Sequence, residues 1–172
     1  RLPHVDFVLS LPTLAADALY WTNRAAERAE AMARAARVVA SRVEQDPGLV
    51  AAHGGEWARR MIAVVGAVRR NPVASTPSEP TIEVLLGAIA DLTRSVADQI
   101  GSLLTEATTV REYLSATTGR VLAHLAGLRT ALASGAARVD DLDSVLADFA
   151  AFTGLWHESI VRGPAWRIGD TG

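Results

Sequence analysis

From Thr13 onward the apolar positions of this chain recur with a helical period. No segment alternates over enough residues to compete as a paired strand. At about 100° per residue, Leu14, Ala18, Ala25, Ala29, Met32, Ala36, Val39, Ala40 and Val43 fall on one side of a first helix. That helix is expected to begin after Pro12, with Thr13 as its N-cap, and to stop near Glu44, where Asp46-Pro47-Gly48 follows. Asn23, Glu30, Arg34, Arg37 and Ser41 make its solvated side, with Glu30 and Arg34 spaced as an i,i+4 ion pair. Asp17, Trp21, Arg24 and Arg28 form a boundary stripe between the two faces, where a charge becomes half-buried and needs a partner.

Further along, the pattern predicts a helix over about 56–70 and a proline-rich loop over 71–80. A short helix over about 81–90 is expected next, broken near Leu92 to Arg94. Ser95 then caps a helix reaching about Leu114, and Ser115 caps one reaching about Ala133. Asp140 and Asp143 open a final helix to about Val161, which Gly163-Pro164 ends; acidic residues at its start suit the helix dipole. Residues 1–12, with two prolines, read as a lead-in or interdomain linker, and 13–172 as one antiparallel, all-α helical bundle of about five or six helices.

The composition narrows the function more by exclusion than by signal. A formal net charge of -2 with both signs scattered gives no footprint for nucleic acid or for an anionic membrane surface. The most apolar run, Met61 to Val68, is flanked by arginine pairs and is far shorter than a bilayer span. Without cysteine there is no thiolate catalysis and no Cys-based metal site. Every basic residue is arginine, so no P-loop lysine exists. The first residue is Arg1, which points to a piece of a longer protein, and the lack of a signal-peptide pattern points to the cytoplasm.

No catalytic or metal-ligating set emerges. His53-Gly54-Gly55 resembles part of an oxyanion loop but lacks a Gly-x-Ser-x-Gly elbow. The four histidines fall on separate elements, without the spacing of a zinc or di-iron site. Arg59, Arg60, Arg69 and Arg70, and likewise Asp140, Asp141 and Asp143, are read as charges complementing helix ends rather than as ion sites.

Two groups stand out as candidate binding residues. One is Trp21, Arg24, Glu27 and Arg28, where an indole beside guanidiniums permits a cation–π contact and a bidentate bond to a carboxylate. The other is Glu158, Arg162, Trp166 and Arg167, in which Glu158 and Arg162 are i,i+4 partners and the rest follows a forced turn. A structural ion-pair network is the commoner role of the first group, and a C-terminal lock onto the bundle that of the second.

At these residues the chain resembles the Alpha-E family, an all-helical bacterial domain with a Glu-Arg motif. Leu19, Tyr20, Trp21, Arg24, Glu27, Arg28, Ala29, Glu30, Ala33 and Arg34 follow its first-helix pattern, with Ala25 where tyrosine is expected. Val110-Arg111-Glu112-Tyr113-Leu114-Ser115 is similar to an internal segment, although Gly119 stands where tryptophan is common. Glu158-Ser159, Arg162, Pro164, Trp166 and Arg167 are similar to a segment midway through the family domain, so the chain resembles its first half. The resemblance implies a non-catalytic accessory or docking module of an ATP-grasp amide or peptide ligase system. The ATP-grasp domain would be fused or separate, with a transglutaminase-like protein as a further partner. ATP and Mg are then implied for that partner, and no cofactor for this chain. Two rival expectations are an acid–base site at the Glu-Arg cluster and a scaffold that forms a homo-oligomer through its alanine-rich faces.

Overall fold

In the computed structural model the described residues are 13–46, 48, 55–69 and 81–162, with side chains excluded at 13, 14, 69 and 157–162. They form α1 (Thr13–Gln45), α2 (Glu56–Arg69), α3 (Ile82–Thr109), a 3-10 turn (Arg111–Tyr113), α4 (Ala116–Ala133) and α5 (Val139–Arg162). Among the described residues there is no strand, as the helical periodicity requires. No helix among them is long and apolar enough to cross a membrane.

The helices close a ring in which α1 packs on α3, α3 on α4, α4 on α5, and α5 back on α1. Cross-helix contacts fix the directions. Arg129 on α4 donates through Nε to the Ala97 carbonyl of α3 at 3.2 Å, while Gly135, just beyond α4, lies against Ala90 and Arg94. His124 on α4 meets Asp148 on α5 at 2.6 Å, and Arg37 on α1 meets Asp143 on α5 at 2.7 Å. Each neighbour is therefore antiparallel, giving an up-down-up-down four-helix bundle. Helix α2 lies outside the ring. Its Ala58 and Ile62 join Val39 of α1 with Leu85 and Ile89 of α3 in a satellite core.

The broadest interface, α1 on α3, pairs unlike surfaces. From α1 come Ala15, Ala18, Ala25, Ala26, Ala29, Ala33 and Ala36, all buried, with Met32 and Val39 the only larger apolar buried residues among those of α1 whose side chains are described. From α3 come Leu85, Ile89, Leu92, Val96, Ile100 and Leu103. The alanines let the axes approach closely, and the branched side chains of α3 fill the space between. Phe149, Phe152 and Trp156 of α5 complete the core, the last two rings stacked with centroids 5.1 Å apart.

Three expectations about α3 are corrected. The helix does not break near Leu92 to Arg94; it runs unbroken from Ile82 to Thr109. Leu85, Ile89, Leu92, Val96, Ile100, Leu103 and Ala107 form one uninterrupted buried stripe, so tertiary packing outweighs the weak propensity of the Thr-Arg-Ser run. Thr93 Oγ1 donates to the Ala90 carbonyl at 2.9 Å, and Ser95 Oγ to the Asp91 carbonyl at 2.9 Å. Ser95 is thus a mid-helix residue bonded backwards and no cap. The α-helix also ends at Thr109, and the stretch to Leu114 is a 3-10 turn and connector.

Other local expectations hold. Ser115 caps α4, its Oγ accepting from the Thr118 backbone N–H at 3.0 Å. The Asp141 carboxylate reaches back to the Arg138 backbone N–H at 2.8 Å, half of a capping box at the start of α5. Glu30 pairs with Arg34 at 2.5 Å. Gly55 precedes α2 with φ of 75°, a left-handed conformation that costs glycine little. The buried hydroxyls of Thr22, Thr93 and Thr118 all have partners, and no described buried side-chain polar atom is orphaned.

Replacing Ala33, fully buried between α1 and its neighbours, by leucine is expected to lower stability by about 1–3 kcal/mol through overpacking. Ala31→Leu, on the exposed side, is expected to stay within about 0.5 kcal/mol. Thermal melts followed by circular dichroism compare the two. At the start of α3 the Glu83 carboxyl lies below its ordinary value, first through the hydroxyl of Thr81 and then through its own backbone N–H. That contribution is present above the unfolded-state value and is lost as pH falls through the depressed one. Thr81→Val is expected to move the Glu83 titration upward, as read by NMR.

Candidate functional site

The first candidate group sits on the outer side of α1, in the turns facing away from α3. Trp21 is 50% exposed and its neighbour Tyr20 57% exposed, and the two rings meet edge to face with centroids 5.2 Å apart and planes at 78°. A T-shaped pair satisfies the ring quadrupoles and holds both aromatics in one arrangement at the surface. Nearly two turns further, Glu27 is shared. Its Oε2 accepts from Arg24 Nη1 at 2.6 Å and its Oε1 from Asn23 Nδ2 at 2.9 Å. Arg28 is exposed and makes no ion pair among the described residues.

The expected half-buried stripe is displaced outward. Arg24 is half-buried, whereas Asp17, Trp21 and Arg28 are exposed. The reason is that Thr22, polar in the sequence, occupies the core side of this turn: it is fully buried, with its hydroxyl donating to the Ala18 carbonyl at 2.6 Å. With Thr22, Ala25, Ala26 and Ala29 inward, the apolar face is rotated towards Thr22, and the stripe is left towards solvent. Nor does Trp21 stack on arginine; its ring partner is Tyr20, and no cation–π contact involves it among the described residues.

The second candidate group is brought to the same end of the bundle only in part. Because α5 runs antiparallel to α1 and Arg37 meets Asp143, the backbone at Glu158 and Arg162 lies at about the height of Thr22 and Ala18. Trp166 and Arg167 lie outside the described residues. So do His4, His53 and the side chain of His157, while His124 is committed to Asp148. No group of three or more His, Asp or Glu residues able to hold a metal ion occurs among the described residues. The acidic start of α5 is used within the fold, Asp141 on the backbone and Asp143 on Arg37. On α2, Arg60 pairs with Glu56 at 2.6 Å.

Glu27 and Arg28 make the sole Glu-Arg dipeptide in the sequence, and both now stand on an exposed turn beside an aromatic pair. The family model for Alpha-E, described as a predicted alpha-helical domain with a conserved ER motif, matches residues 11–172. The chain belongs to the Alpha-E family. No curated protein and no solved structure matches it. In this Alpha-E chain the Glu-Arg dipeptide lies on the exposed side of α1. Glu27 is held by two donors at the surface, and an indole, a phenol and a guanidinium that makes no ion pair among the described residues lie within two turns of it.

Sequence reasoning missed Tyr20 as a member of the patch and Asn23 as the second donor to Glu27. Asn23 was legible, since it lies four residues before Glu27. Tyr20 was legible as exposed, since it lies about 200° round the helix from buried Ala18, but the period does not show that its ring meets that of Trp21.

The exposed Arg24–Glu27 pair is expected to contribute little to stability. Glu27→Ala should shift unfolding by less than about 1 kcal/mol in a denaturant titration. Trp21→Phe should remove a red-shifted, acrylamide-accessible part of the fluorescence, leaving the emission of buried Trp156 in place.

Proposed function

We propose that this Alpha-E chain is a non-catalytic docking module of an ATP-grasp amide or peptide ligase system, and that α1 carries its recognition surface. Tyr20, Trp21, Arg24 and Arg28 make that surface, with Glu27 fixing the position of Arg24. The observation that carries the reading is the exposed Tyr20–Trp21 pair, with Arg28 exposed two turns on and making no ion pair among the described residues. Tryptophan, tyrosine and arginine are the residues that dominate binding energy at protein interfaces, and a pre-set ring pair loses little freedom on binding.

The ATP-grasp context is supported by the family resemblance of the first-helix and C-terminal motifs. In that context the ATP-grasp partner, fused or separate, binds ATP and Mg and forms the acyl phosphate. The Alpha-E module acts by holding the partner or its carboxylate substrate through the guanidiniums of Arg24 and Arg28. Glu158 and Arg162, whose backbone lies at the same height on α5, and Trp166 and Arg167 after them in sequence belong to the same proposal. A cytoplasmic bacterial setting, with a transglutaminase-like protein as a second partner, belongs to the same proposal.

Association of the module with its ATP-grasp protein is measured by calorimetry, and ligation by product formation. Trp21→Ala is expected to weaken association by about 2 kcal/mol, roughly thirtyfold, and Arg28→Ala by about tenfold, both with unchanged melting. Association and ligation unaffected by either substitution would defeat the docking role.

A further inference from the structure

An open groove of about 590 Å³ runs along the outer seam between the end of α3 and the start of α4, away from the ring's core. Its floor is apolar, formed by Leu104, Leu114, Leu122 and alanines of both helices. On α4 the lining extends from Ala116 to Ala126, a length of about 15 Å. Gly119 lies within it, and a Cβ there would meet nothing within 4 Å. The volume is that of sites for small organic ligands.

Its charge is one-sided. Arg111 and Arg120 both line the groove, both are exposed, and none of the described lining residues is acidic. Arg111 makes no ion pair among the described residues, and Arg120 Nη2 reaches only the Thr117 hydroxyl, at 3.1 Å. The guanidiniums belong to the part nearest the 3-10 turn, whereas the far part, at Leu122, Ala123 and Ala126, carries no charge. Cation at one end and hydrocarbon along the rest describe a receptor for one anionic head and one apolar tail.

We infer that this groove binds an amphiphilic carboxylic acid, its carboxylate between Arg111 and Arg120 and its aliphatic chain along α4 over Gly119, Ala123 and Ala126. A charge confined to one end fits a single-headed small acid better than an acidic protein helix, whose carboxylates would recur along the groove. This site is independent of the docking surface on α1.

Decanoate, kept below its micelle concentration, tests the inference by calorimetry and by chemical-shift mapping on the intact chain. Saturable binding is expected, with shifts centred on residues 104–126, and decan-1-ol is expected to bind about tenfold more weakly for want of the charge-assisted bonds. Arg111→Glu with Arg120→Glu should lower decanoate affinity at least about tenfold. Gly119→Leu should block the tail while raising helix propensity, so its melting temperature should not fall. No saturable binding, equal binding of acid and alcohol, or binding undisturbed by both sets of variants overturns the inference. A response only to an amphipathic acidic peptide also overturns it and assigns the groove to a protein partner.

Discussion

The close approach of α1 to α3 is the constraint on which the rest of the molecule depends. Seven buried alanines on α1 bring the two axes together, and the leucines, isoleucines and valine of α3 supply the volume that α1 lacks. A core built this way tolerates little added bulk on α1, because the branched side chains opposite have no room to retreat. It also determines what α1 shows to solvent. With Thr22 and the alanines facing inward, the large and charged residues of the same turns, Tyr20, Trp21, Arg24, Glu27 and Arg28, have only the outside left.

Much of this was legible in the chain. The helical period located α1, α2, α4 and α5 to within a residue or two, and Ser115 marked its helix start because an N-cap acts locally, through one hydroxyl and one backbone N–H. The error at Leu92 to Arg94 has the opposite origin. Leu92 to Arg94 read locally as a break and Ser95 as a cap, but the hydroxyls of Thr93 and Ser95 bond back to carbonyls of the same helix while Leu92 and Val96 are held in the core, an outcome set by neighbours distant in sequence. The candidate patch was half legible. Its residues could be named from their pattern, but whether Trp21 was sheltered or exposed turned on the burial of a threonine that no hydrophobic count would place inside.

The exposed aromatic pair and the groove differ in kind, and the difference follows from packing. Tyr20 and Trp21 project into solvent from the helix whose other side is buried, their rings edge to face. The groove arises where α3 ends and the 3-10 turn carries the chain into α4, so small residues on two diverging elements leave space unfilled. An exposed aromatic surface suits a protein partner, and a concave apolar seam with cations at one end suits a small anionic ligand.

The antiparallel ring has a topological consequence. The first turn of α1 and the last turn of α5 come to the same pole of the bundle, as the Arg37–Asp143 pair at the other end of both helices requires. Any polypeptide leading into α1 and any leading out of α5 therefore meet this module at one pole, leaving the opposite pole untethered by either. A bundle with both helix ends at one pole is a geometry that can be carried within a longer polypeptide without spanning it.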